Sequence, residues 1–416
     1  MQRHWSAKST SAWLLAIAVL LLVAAPGAVA QDQAAKPAAQ TTAPRLDLYG
    51  FAMLDFGHNF GSINPNWSDT LRVSKLPSFD KQFGKDGNTF AGVRQTRFGV
   101  KGFIPSELGE IKTIFEFELF GTGVDEGQTT FRLRHAYGEI GHFGAGQYWS
   151  PFMDIDVFPN SLEYWGPTGM VFFRNVQFRY MPLQGEKELV FAVERPGASA
   201  DQGVYSDRIE LQGVKGRFPV PDFSGHYRYS QKWGYVQGAF LLGYMRWDDV
   251  GTGPHDLSGS ATRWGFNLSG NFKPTANDTV RGALVYGEGI ENYMNDAPVD
   301  VGIVNQFNNP ITPIAGKALP ITGITLFLDH NWNKKWSTAV GYSTTNIKNT
   351  EGQLGDAYHM GRYFLGNLLY SPVSGVMVGG EVQWGQRSNF NDGFKYSATK
   401  IQFSFKYNFA ASIGGK

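Results

Sequence analysis

From Lys400 to Phe409 polar and apolar residues alternate without interruption. Ile401, Phe403, Phe405, Tyr407 and Phe409 fall on one side, and Lys400, Gln402, Ser404, Lys406 and Asn408 on the other. Successive strand side chains point to opposite faces, so this segment predicts a strand with one greasy and one wet surface. Segments of the same kind recur along the chain, near 46–60, 91–104, 110–121, 129–140, 143–149, 173–181, 187–195, 223–231, 234–247, 260–272, 277–288, 322–332, 336–347, 358–371, 375–388 and 396–409. Such a set, about sixteen strands, is enough to close into a barrel with a wide interior.

The connections alternate in length. Short ones fall at Pro105–Gly109, His142, Pro182–Glu186, Lys232-Trp233, Pro274–Ala276, Asn333–Lys335 and Pro372–Gly375. Long ones fall at 61–90, 122–128, 150–172, 196–222, 248–259, 289–321, 348–357 and 389–395. A soluble sandwich has no reason to sort its loops by length onto one end, whereas outer-membrane barrels carry short periplasmic turns and longer extracellular loops. Phe103, Phe143, Tyr180, Trp233, Phe272, Trp332, Trp336, Tyr370 and Phe409 cluster beside the short turns, where a periplasmic aromatic girdle is expected.

The start of the chain agrees. Arg3 and Lys8, the apolar run Ala12 to Ala25, and Ala28-Val29-Ala30 form the three parts of an export signal. Residues 1–30 are therefore expected to be a signal peptide cleaved near Ala30, and 31–45 a flexible periplasmic leader. The barrel is expected at 46–409, with 410–416 as a C-terminal tail. Beyond residue 30 no run approaches the ~18–20 apolar residues of a spanning helix. There are no cysteines, while Phe (32), Tyr (18), Trp (11) and Gly (51) are abundant. The fold class predicted is all-β: a transmembrane antiparallel barrel in the outer membrane of a Gram-negative bacterium. Without Arg3 and Lys8 the 37 basic residues fall to 35 against 36 acidic ones, so nothing points to nucleic acid.

Alternation assigns Arg97, Lys101, Arg132, Arg134, Arg179, Arg228, Arg263 and Arg281 to the lumen, together with Asp55, Glu116, Glu118, Asp329 and Glu381. The arginine fork pairs bidentately with carboxylates, so an Arg-rich wall draws anions; equally, lumenal Arg and Glu pair across the wall and stiffen it. The loop 150–170, with Asp154, Asp156 and Glu163 among Pro151, Pro159, Pro167, Tyr164 and Trp165, is expected to fold inward as a constriction whose carboxylates face wall arginines. Asp154, Asp156 and Asn160 resemble part of a calcium loop, but the Gly and Glu that would complete it are missing, so no metal or other cofactor is predicted. His135 and His226 have no local Ser or Asp arrangement for catalysis, and alternation puts His135 on the apolar face. No enzyme is predicted.

Several segments resemble the DcaP-like porins, outer-membrane channels associated with dicarboxylic acids. They are RQTRFGVKGF (Arg94–Phe103), FRLRHAYGE (Phe131–Glu139), GQYWSPFMDIDVFPNSLEYWGPTGMVFFRNVQFRY (Gly146–Tyr180), ERPGASAD (Glu194–Asp201), GEGIENYMNDAPVDVG (Gly287–Gly302), DHNWNKKWS (Asp329–Ser337) and IQFSFKYNF (Ile401–Phe409). The resemblance implies a sixteen-stranded, homotrimeric, passive channel favouring dicarboxylates and anionic aromatic compounds. A general non-selective porin is the alternative. Expected partners are small anionic solutes, the lipid bilayer with its lipopolysaccharide, and the barrel-assembly machinery. Two departures stand out: 31–45 is too short and Pro-broken for the helical extension of some family members, and Ala410 to Lys416 come after the terminal aromatic Phe409.

Overall fold

The computed structural model describes residues 43–197 and 208–415. The export signal, most of the leader, part of the 196–222 loop and Lys416 lie outside the described residues. Sixteen antiparallel strands form a closed barrel. They are β1 (Arg45–Asn59), β2 (Asn88–Gly92 and Arg97–Ser106), β3 (Gly109–Phe120), β4 (Thr129–Ile140), β5 (Phe143–Trp149), β6 (Arg174–Leu183), β7 (Lys187–Glu194), β8 (Val214–Arg217 and Asp222–Gln231), β9 (Gly234–Asp249), β10 (Gly259–Phe272), β11 (Asp278–Glu288), β12 (Pro320–Asn331), β13 (Trp336–Ile347), β14 (Tyr358–Tyr370), β15 (Val376–Asn389) and β16 (Lys395–Gly414). Each strand pairs with the next, and β1 meets β16 from Arg45↔Gly414 to Asn59↔Lys400, which closes the wall. Closure leaves no exposed sheet edge at the seam, as a spanning sheet in lipid requires.

The faces sort as alternation predicts. On β16, Phe403, Phe405, Tyr407 and Phe409 are exposed on the outside, while Lys400, Gln402 and Ser404 are buried within the barrel. The outward set includes Phe98, Phe117 and Phe131, which pack ring to ring along β2–β4 at 5.5 and 5.1 Å between centroids. Near the short turns, Phe143 stacks on Tyr180 (5.3 Å) and Trp336 on Tyr370 (4.4 Å). Phe103 is an exception to the expected girdle. It shares the lumenal face with Arg97 and Lys101, and the Arg45 guanidinium lies 4.1 Å from its ring.

Four local departures have physical causes. Residues 93–96 interrupt β2, because four residues there oppose three on β1, between Asp55↔Gly92 and Phe51↔Arg97. The surplus is taken up by a tight turn, Thr96 N–H to Val93 C=O (3.0 Å), and the Thr96 hydroxyl oxygen accepts from the Met53 N–H (3.1 Å). In β4, Arg134 is an extra residue, since Glu116 opposes His135 and Phe117 opposes Leu133. Such a bulge swaps the faces of the neighbouring residues on its far side. His135 therefore faces the lumen rather than the apolar side, buried against Tyr148 and Trp149 (4.7 and 4.8 Å). Residues 410–414, expected as a tail, continue β16 because the first residues of β1, Arg45 to Tyr49, offer them a ladder. Finally, the 289–319 connection contains its own small hairpin, Val301–Asn305 with Ile314–Ala318.

The apolar core lies inside the barrel mouth. Ile63, Leu71, Val73 and Leu76 from the β1–β2 loop, Phe152, Met153 and Val171 from the β5–β6 loop, and Ile290, Tyr293 and Met294 from the β11–β12 loop pack against wall residues such as Leu241, Val285, Phe327 and Tyr363. Greasy side chains projecting into the lumen are thus covered by greasy loops.

Candidate functional site

The lumenal wall is organised around ion pairs. On β2, β3 and β4, Arg134 bridges Glu116 (2.6 Å) and Glu118 (2.7 Å), and Arg97 reaches Glu118 at 3.1 Å. Arg132 donates to the Tyr164 hydroxyl at 2.8 Å and lies 3.5 Å from Glu118, while Tyr164 itself donates to Glu118. Tyr49 adds a hydrogen bond to Glu116 at 2.7 Å. Across the barrel Arg228 holds Asp154 (2.8 Å) and Asp156 (2.6 Å), and Arg281 holds Asp329 (2.6 Å) and the Asp156 carbonyl. Arg263 is fully buried in a pair with Asp222, whose other donor is the Tyr293 hydroxyl (2.8 Å). Paired and hydrogen-bonded in this way, a buried charge is tolerated and stiffens the wall.

The segment from Ser150 to Phe173 runs along the inner wall, held at almost every step. Asn267 donates to the Phe152 carbonyl (2.9 Å) and Asn271 to that of Asp156 (2.9 Å). Asp154 accepts from Tyr235 (2.9 Å) and Ser269 (2.7 Å) as well as from Arg228. Farther on, Asn367 donates to the Asn160 carbonyl (2.8 Å), and Gln95 and Gln402 both donate to that of Leu162 (2.9 and 3.1 Å). Glu381 accepts the backbone N–H groups of Leu162 (2.8 Å) and Glu163 (3.0 Å). Gly169 presses against β12 and β13, where a Cβ would lie 2.6 Å from the Ile324 carbonyl, so only glycine fits. The strands that this loop crosses therefore carry polar side chains where it passes, from Asn267 and Asn271 on β10 to Gln402 on β16.

Sequence reasoning placed the three loop carboxylates opposite arginines. Asp154 and Asp156 do meet Arg228, but Glu163 meets Lys400 instead, at 2.8 Å with both groups fully buried. Asp154's oxygens are taken by protein donors, and among the described residues no group of three or more His, Asp or Glu is placed to hold a metal ion. Two of the eight proposed wall cations lack a carboxylate within ion-pair distance among the described residues. Lys101 is exposed, 5.1 Å from the Tyr49 ring. Arg179 lies beside the stacked rings of Tyr137 and Tyr148 (5.3 and 5.1 Å) and donates to Gln177 and the Trp149 carbonyl. A third such cation, Lys406, sits 4.0 Å over Phe51. Alternation already places it on the wet face of the strand whose pattern is clearest, although it is not among the eight wall cations assigned from sequence.

The family model of the DcaP outer membrane protein matches residues 36–409. The chain belongs to the DcaP outer membrane protein family. No curated protein matches it. Among solved structures, this DcaP-family chain shares its fold with the outer membrane channel DcaP of Acinetobacter baumannii, at 18% identity and a TM-score of 0.72 over 88% of this chain and 97% of that one. An anion-selective porin from Comamonas acidovorans (11% identity, TM-score 0.54) covers 88% of this chain and 100% of its own. OmpT of Vibrio cholerae (14%, 0.52) covers 88% and 98%. The family and its structural neighbours are outer-membrane channels, not enzymes. The mixed lumenal charges described above accordingly belong to a channel wall.

Proposed function

We propose that this DcaP-family barrel is a passive diffusion channel that favours small anions, dicarboxylates and aromatic carboxylates foremost. The observation that carries the proposal is the asymmetry of unpaired charge. Among the described residues Lys101 and Lys406 have no carboxylate within ion-pair distance and the buried Arg179 has only neutral acceptors, whereas Asp55, Glu194 and Glu381 are buried and occupied by neutral donors and the half-exposed Glu188 is bonded to His226 (2.7 Å). On this reading Lys101 and Lys406 give the accessible wall an excess of unpaired positive charge, and such an excess concentrates anions. Rings beside these cations, Tyr49, Phe51, Tyr137 and Tyr148, suit a solute with an apolar body and a carboxylate end. On this reading Arg97, Arg132, Arg134, Arg228, Arg263 and Arg281 shape the wall through their ion pairs. The inward loop narrows the passage with Asp154, Asp156 and Glu163 held against that wall.

A homotrimer belongs to the same proposal, supported by a trimer form of the Vibrio cholerae neighbour. The pairing of six of the eight predicted cations favours a second reading, a general porin with weak charge preference. Adding succinate during single-channel recording in a planar bilayer separates the two. Concentration-dependent current noise is expected; current that succinate leaves unchanged would leave only the general porin.

A further inference from the structure

Three loops meet in the barrel mouth: 60–87 after β1, 150–173 after β5 and 289–319 after β11. They bond to one another pairwise. The first joins the second through the Leu71 N–H on Glu163 (3.2 Å) and the edge-on contact of Trp67 with Trp165 (4.8 Å). The second joins the third through Asn295, which donates to the Trp165 and Pro167 carbonyls (2.7 and 2.9 Å) and accepts at its own carbonyl from the Trp165 indole (2.7 Å). The third joins the first through one side chain. Asp296, buried, accepts from the Arg72 guanidinium (3.2 Å), the Ser74 N–H (2.8 Å) and the Ser74 hydroxyl. Among the described residues every hydrogen bond between these two loops runs through Asp296.

Arg72 itself packs against both of the touching indole rings, 4.3 Å from Trp67 and 3.9 Å from Trp165, so its charge ties all three loops at one point. A buried carboxylate with three donors on one partner loop is geometrically demanding, and removing it leaves Arg72 buried without its counter-charge. The wall grips the β5–β6 loop by many independent bonds and the 60–87 loop by several, among them Lys400 on the Asp69 carbonyl (2.6 Å), Asn389 on the Ser78 carbonyl (2.7 Å) and Arg387 on the Ser74 carbonyl (3.1 Å). The 289–319 loop is held far less by the wall: among the described residues its hydrogen bond to a wall strand is Tyr293 on Asp222 (2.8 Å), so Asp296 ties it to the anchored 60–87 loop.

We infer that Asp296 is the positioning residue of the pore: it latches the 60–87 and 289–319 loops together, so that the size limit for solutes is set by three loops acting as one body rather than by the inward loop alone. The inference rests on the channel reading but not on its charge preference. Because the chain has no cysteine, a reversible latch can be engineered cleanly. The test is swelling of liposomes carrying the full-length protein in neutral sugars of increasing size, which charge does not steer. Asp296→Asn, and Ser74→Cys/Asp296→Cys in the reduced state, are expected to pass sugars that the wild type excludes. Oxidising the cysteine pair is expected to restore the wild-type limit within the same molecule. A size limit that stays at the wild-type value in Asp296→Asn and in both redox states would overturn the latch. Reversal potentials measured in parallel report the anion preference separately, so failure of one reading is not failure of the other.

Discussion

At the scale of single residues, the decisive distinction is between cations that are matched and cations that are not. Arg134 spans Glu116 and Glu118 in the dry part of the wall. Removing one partner of such a pair costs about 3–5 kcal/mol, because the charge left behind is buried and uncompensated. Arg134→Ala is therefore expected to unfold at clearly lower urea, read from the heat-modifiable band on gels; an unchanged midpoint would mean that water replaces the guanidinium freely. Lys101 and Lys406 are the opposite case, cations near Tyr49 and Phe51 with no carboxylate within ion-pair distance among the described residues. Replacing both by Gln should leave stability nearly intact and move the reversal potential toward the cation side. Alternation alone put Lys101 and Arg97 in the same class. That one is paired and the other open depends on where Glu116 and Glu118 fall across the ladder, which no single strand's pattern contains.

At the scale of elements, period-two alternation was nearly sufficient, because a strand between lipid and lumen has two unlike faces and a register slip reverses both. Its failures lie where the period is broken by one residue. The bulge at Arg134 turns His135 inward, and the interruption at 93–96 divides β2. Both look like uninterrupted strand in sequence, since the extra residue carries no special chemistry. Pairing also overrode composition at 410–414, where mostly small residues extend β16 because the edge of Arg45–Tyr49 facing away from β2 would otherwise be unpaired. Two measurements test the faces. Phe403→Arg puts a charge in lipid and should cost about 2–4 kcal/mol if it lies near the midplane; a neutral effect would contradict the outward assignment. Cysteines replacing Arg97 and Phe98 should be labelled from water and protected by lipid, respectively, and labelling of the Phe98 position from the aqueous pore would reverse the register.

At the scale of the whole molecule, the barrel and the inward segment differ in how far sequence discloses them. Strand number can be read from alternating patches and loop lengths, which are local. The arrangement of the mouth cannot, because it joins residues far apart in the chain, such as Leu162 with Glu381 and Ser74 with Asp296. The prolines and rings of 150–170 suggested an inward loop, but nothing in the 60–87 or 289–319 segments announces that they cover the same core. Many of the lumenal acids are held by wall and loops, while among the described residues Lys101, Lys406 and Arg179 have no carboxylate within ion-pair distance. The most direct measurement is the reversal potential of the purified channel in a planar bilayer under a KCl gradient. A potential on the chloride side, reduced in the Lys101→Gln/Lys406→Gln variant, is the expected result. A cation-selective or unselective potential in the wild-type protein would contradict it.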